Sequence, residues 1–105
     1  MAKKKTEDLS RKELKKILAI ARGDQAPDLL IKNVKILDLV CGEVVDSAIA
    51  LSGRHIAGVG KEYEDSKAKN IWDAKETTAV PGFIDGHLHV ESSMMHPFEF
   101  ERLTL

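Results

Sequence analysis

A single cysteine, Cys41, stands in the 105 residues, so neither an internal disulfide nor a Cys-x-x-Cys site for zinc or redox chemistry can form. That usage fits a reducing compartment such as the cytoplasm. No apolar stretch follows the lysines at positions 3 to 5. Thr6-Glu7-Asp8 comes instead, which excludes the reading of this start as a secretory signal or membrane anchor. Charge of one sign is also lacking: 16 basic residues against 17 acidic ones leave a formal net charge of -1. Bulk electrostatics therefore point to no nucleic-acid partner and no anionic membrane, and Lys3-Lys4-Lys5 reads as a solvated terminus. There is no internal repeat and no low-complexity tract. Length sets the last limit, because 105 residues make one compact domain and fall short of the roughly 200 or more that a complete (β/α)8 barrel requires.

What is present is an ordinary soluble composition, 43% hydrophobic and 31% charged, enough for a modest core. The first organised segment opens at Ser10, with Glu13 three residues on. Together they can satisfy two unpaired amides at a helix start, and Leu9 and Leu14 can close a hydrophobic staple. Leu14, Ile17, Leu18 and Ala21 recur at helical spacing on one face, Lys12, Lys15 and Lys16 occupy a solvated face, and the helix is predicted to end near Gly23. From Asp28 the texture changes to short β-prone runs, 29–31, 34–37, 44–45 and 48–51, separated by Asn33, Cys41-Gly42 and Ser52-Gly53. Ser52-Gly53 predicts a tight hairpin into residues 54–60. Residues 61–69 read as an exposed charged loop. Ile71-Trp72 and 77–80 read as a further strand pair, with Trp72 packed in the sheet or core.

Chemistry-bearing residues concentrate in Val80-Pro81-Gly82-Phe83-Ile84-Asp85-Gly86-His87-Leu88-His89-Val90-Glu91. If this run is extended, alternation places His87 and His89 on one side, able to reach one metal ion, and sends Leu88 and Val90 into an apolar layer. His-x-His alone is a weak signal, since two unrelated surface or buried histidines give the same spacing. Asp85 lies on the histidine side, where it can bond a metal-held group or serve a structural role. Glu91 can contact substrate or orient a histidine. His96, before Pro97, reads as a loop or helix-start residue, and His55 as remote from any metal. Pro97 suits the first turn of a helix through residue 105.

Pro81-Gly82-Phe83-Ile84-Asp85-Gly86-His87-Leu88-His89 resembles the motif that opens the barrel in the metal-dependent amidohydrolase superfamily. Residues 28–33, 48–51 and 53–60 resemble the small β-domain that precedes it, so the likeness spans roughly residues 22 to 105. Within the superfamily, Val90-Glu91-Ser92-Ser93-Met94, Ala21-Arg22-Gly23-Asp24 and Pro97-Phe98-Glu99-Phe100 resemble the adenine-deaminating branch. Glu91 stands where dihydroorotases typically carry an arginine that holds a substrate carboxylate.

The capping box and helical spacing give an amino-terminal helical segment over 1–23, and the resemblance implies a small sandwich-like β-domain over 24–80 and, over 81–105, the first strand and helix of an incomplete TIM barrel, an α+β organisation for the whole. It implies hydrolytic deamination of adenine to hypoxanthine and ammonia in a longer enzyme, this chain alone being inactive. His87 and His89 would bind one ion of a two-metal centre, manganese or iron, with zinc also compatible. The other ligands and the principal acid/base groups would lie beyond residue 105, and the full enzyme would be a homo-oligomer. An open barrel start would expose Phe83, Leu88 and Val90, which predicts association or partial disorder beyond about residue 80. Two other readings stay open: an amidohydrolase for a cyclic amide, and a non-catalytic binding or assembly module that retains the histidine pair.

Overall fold

The computed structural model describes residues 9–87, 89 and 91–104. Lys3-Lys4-Lys5, Leu88 and Val90, to which the sequence assigned a solvated terminus and an apolar layer, lie outside the described residues. The architecture is α+β, a helix packed on one face of a small mixed sheet.

Helix α1 (Arg11–Ala21) starts and stops on local chemistry. The Glu13 amide donates to Ser10 Oγ at 3.2 Å, and Glu13 Oε2 accepts the Ser10 amide at 2.9 Å, closing the capping box. At the other end Gly23 takes φ +81°, its amide donates to Ile20 O at 3.0 Å, and the Asp24 amide donates to Ala19 O at 2.9 Å. This crossed pair of bonds satisfies orphan carbonyls, and only a left-handed residue at Gly23 permits it. The buried face differs from the expected one. Ile20 is 1% exposed, whereas Leu14 and Leu18 are open to solvent. The sheet offers its small-residue surface to the last turn of the helix, so position in that turn outweighs membership of the leucine stripe.

Strands β1 (Leu29–Asp38) and β2 (Glu43–Ser52) form an antiparallel hairpin, and β3 (His55–Val59) adds to β2 across the turn at Gly53. The expected short runs are thus two long strands, interrupted only by a bulge at Lys32-Asn33. Strands β4 (Asn70–Asp73) and β5 (Thr78–Ala79) do not pair with each other; each runs parallel to β1, β4 along its first half and β5 along its second. Their interruption matches the bulge. The Ala74 amide donates to Lys32 O at 2.9 Å, Glu76 to Asn33 O at 2.7 Å and Lys35 to Thr77 O at 3.0 Å. Asn33, Lys75 and Glu76 all take positive φ so that both chains jog together.

The core beneath α1 is Ile20, Leu30, Ala48, Ala50 and Tyr63. Tyr63 comes from a short 3-10 turn, Lys61–Tyr63, inside the segment expected to be an exposed loop. Its hydroxyl donates to Ala21 O at 2.7 Å and its ring covers Gly58, where any Cβ would collide with it. Among the described residues no helix covers the opposite face of the sheet. Register aligns Trp72, Ile31, Ile49 and Val59 across it, with Leu29, Leu51 and Ile56 in the neighbouring row. Trp72 is consequently 58% exposed and not a core residue, because α1 covers only the face defined by Leu30 and Ala50.

Beyond Ala79 the chain leaves the sheet. Residues 81–87 form no strand and no described strand pairs with them, so the extended ladder expected for this run is not observed. Without a neighbouring strand its amides have no ladder to join. A 3-10 turn, Glu91–Ser93, and helix α2 (Pro97–Thr104) follow.

Candidate metal centre

The candidate site is built within seven residues, Asp85 to Glu91. Asp85 Oδ1 accepts the His87 amide at 3.1 Å, a local turn that fixes the backbone just ahead of the first histidine. His87 Nε2 and His89 Nε2 then converge to 2.9 Å, the rings tilted 58° with centroids 4.9 Å apart. The two imidazoles therefore share a side, as their spacing predicted, although no ladder enforces it. His89 Nδ1 meets Glu91 Oε1 at 3.1 Å. The Glu91–Ser93 turn is anchored by the Ser92 amide donating to His89 O at 3.2 Å, which holds Glu91 back against the ring.

The donor set can be tested against a metal. Two ligands at right angles on bonds of about 2.1 Å stand about 3.0 Å apart, so the 2.9 Å separation suits adjacent positions on one ion. Neutral imidazole nitrogen suits zinc, iron and other transition ions. Among the described residues no group of three or more His, Cys, Asp or Glu side chains is arranged to hold an ion. Glu91 is turned to the far nitrogen of His89 instead of joining the pair as a third ligand. The site is open to water, with the His89 side chain 57% and the Glu91 side chain 76% exposed.

The remaining sequence candidates fall elsewhere. His96 Nδ1 accepts the Phe98 amide at 3.3 Å, capping α2 in the helix-start role expected of it. His55 opens β3 opposite Ser52, in the hairpin. The sequence did not single out Tyr63 or the Lys16–Asp28 pair described below. Both are structural contacts spanning distant segments, and no local motif marks them.

No family model matches the chain. Against curated proteins it is 50% identical over 105 residues to the adenine deaminase of Bdellovibrio bacteriovorus. It is 55% identical over 97 residues to that of Escherichia coli O9:H4 and 54% to that of Escherichia coli K12. It covers all of its own length in the first comparison and 92% in the others. A crystal structure, BT9727_2919 from Bacillus thuringiensis, aligns at 35% identity over 62% of this chain and 92% of that one, with a TM-score of 0.42. The chain spans 18% of the Bdellovibrio protein and 16% of the two Escherichia coli proteins. By sequence, then, the chain is similar to adenine deaminases over less than a fifth of their length.

Proposed function

We propose that this chain carries part of the metal centre of an adenine deaminase, in which residues 81–105 open a (β/α)8 barrel and His87 and His89 are two ligands of one divalent ion. The observation that carries this reading is the 2.9 Å convergence of the two Nε2 atoms inside a segment shared with adenine deaminases. The reaction is hydrolytic deamination of adenine to hypoxanthine and ammonia. A divalent ion, when bound, supplies a water acidified from about 15.7 toward about 7, a nucleophile for the purine carbon that bears the amino group.

The chain's own residues have narrower tasks. His87 and His89 bind through Nε2, which requires both nitrogens to be unprotonated. Asp85 holds the backbone turn ahead of His87. Two ligands leave a coordination shell of four to six unfilled, so the other ligands and the groups that move protons to the ring and leaving ammonia come from residues outside this chain. Manganese or iron is the proposed metal, as a pair of ions, in a homo-oligomeric enzyme.

The test is adenine-dependent ammonia release with added Mn2+, measured on this chain and on a version extended through a complete barrel. Activity confined to the extended protein supports the reading. Ring opening of hydantoin or dihydroorotate to the N-carbamoyl amino acid, with no ammonia released from adenine, moves the proposal to another amidohydrolase substrate, and no turnover of any of the three in either protein favours a non-catalytic module.

A further inference from the structure

The Glu91 carboxylate meets His89 Nδ1, and the direction of that contact determines what His89 can do. An ionised carboxylate can only accept hydrogen bonds, so the 3.1 Å contact requires His89 to carry its proton on Nδ1. A neutral imidazole protonated at Nδ1 has its lone pair on Nε2, the atom that stands 2.9 Å from His87 Nε2. In the metal-free chain the proton between the two rings must then sit on His87 Nε2, which donates to His89. We propose that Glu91 is a positioning residue that presets the tautomer and ring orientation of His89, leaving its Nε2 lone pair available to a metal, whereas neutral His87 must move its proton from Nε2 to Nδ1 before its Nε2 can bind.

Locality makes the device self-contained. The Glu91–Ser93 turn, closed by the Ser92 amide on His89 O, returns the carboxylate to the ring two residues upstream without help from the sheet. The pair is solvent-exposed, so its contribution to fold stability is small. Removing Glu91 should therefore change ligand chemistry without unfolding the chain.

The inference rests on the metal reading for its purpose but not for its test. Nitrogen-15 two-bond correlation spectra of the metal-free 105-residue chain, taken at a pH where imidazole is neutral, report which ring nitrogen carries hydrogen. Expected are His89 protonated at Nδ1 and His87 at Nε2, with His89 moving toward the Nε2-protonated form in Glu91→Ala and holding closer to the original in Glu91→Gln. An unchanged His89 tautomer in Glu91→Ala overturns the proposal. Zn2+ titration supplies the second readout: Glu91→Ala should lower affinity on the order of 10-fold to 100-fold, with a smaller loss for Glu91→Gln. Equal Zn2+ affinity in Glu91→Ala and the parent chain also overturns the positioning role. Failure of His87→Ala and His89→Ala to weaken Zn2+ binding instead sinks the metal reading, while the tautomer result still decides what Glu91 does.

Discussion

Lys16 Nζ lies 2.7 Å from both carboxylate oxygens of Asp28, joining the middle of α1 to the residue that leads into β1. The Gly53 amide also donates to Asp28 Oδ2 at 2.9 Å, so one carboxylate ties the helix, the first strand and the β2–β3 turn. The Lys16 hydrogen bond, followed by that of Gly53, holds the Asp28 carboxyl below its ordinary value of 3.8. A depressed folded value gives stability that is complete above the ordinary range and is lost as pH falls through the folded value. Asp28→Asn keeps an acceptor for Gly53 and removes the charge. It should cost about 1 kcal/mol at pH 7, the upper end for a solvent-screened pair. In urea unfolding the gap to the parent chain should narrow as pH falls below the ordinary carboxylate range, and narrow in high salt. A gap that persists undiminished at pH 2 would show that charge is not its source.

Gly58 is required by the ring above it. A Cβ there would lie 2.6 Å from Tyr63 Cε2 and nearer still to Cζ and the hydroxyl, so the ring must move and give up its bond to Ala21 O. Gly58→Ala should cost about 1–3 kcal/mol by overpacking. Tyr63→Phe, which loses only the hydroxyl, should cost about 1 kcal/mol. Thermal unfolding distinguishes them, since 1 kcal/mol moves the midpoint of a domain this size by about 4–8 °C.

Phe83 and Ile84 are 99% and 91% exposed, next to each other and off the sheet. Burying each side chain against another surface would yield about 1.5–3 kcal/mol, a strong drive to associate. Sedimentation velocity should show self-association that rises with concentration and that Phe83→Ser with Ile84→Ser reduces, while circular dichroism of the sheet stays unchanged. Identical sedimentation of parent and variant would place the association surface elsewhere, such as the open face bearing Trp72.

Mn2+ gives a map of the metal reading. Titrated into the chain, the paramagnetic ion should broaden the ring signals of His87 and His89 first. His55 in the hairpin and His96 at the cap of α2 should retain theirs to higher concentration. Uniform loss across the four histidines would mean no specific centre.

Much of the outcome was readable residue by residue. The helix boundaries follow from Ser10, Glu13 and Gly23, whose bonds stay within one turn. The hairpin at Gly53 and the approach of His87 to His89 are equally local. Of the two places read for Trp72 the sheet holds and the core does not, because an edge-strand side chain is core or surface according to which face another element covers. Tyr63 was missed for the converse reason, a single aromatic in a charged segment that becomes buried only because α1 and Gly58 leave room for it.

The sequence alone determined the caps, the turn at Gly53 and the approach of His87 to His89, since these interactions span six residues or fewer and depend on side-chain chemistry at fixed spacing. Tertiary structure decided what spacing cannot encode. It set β4 and β5 parallel to β1 around a shared jog, gave the core to Ile20 and Tyr63 instead of the leucine stripe, and joined Lys16 to Asp28 across a helix and a strand. Each of these depends on which surfaces meet, and burial rewards the best-fitting contact among many that the local pattern permits equally.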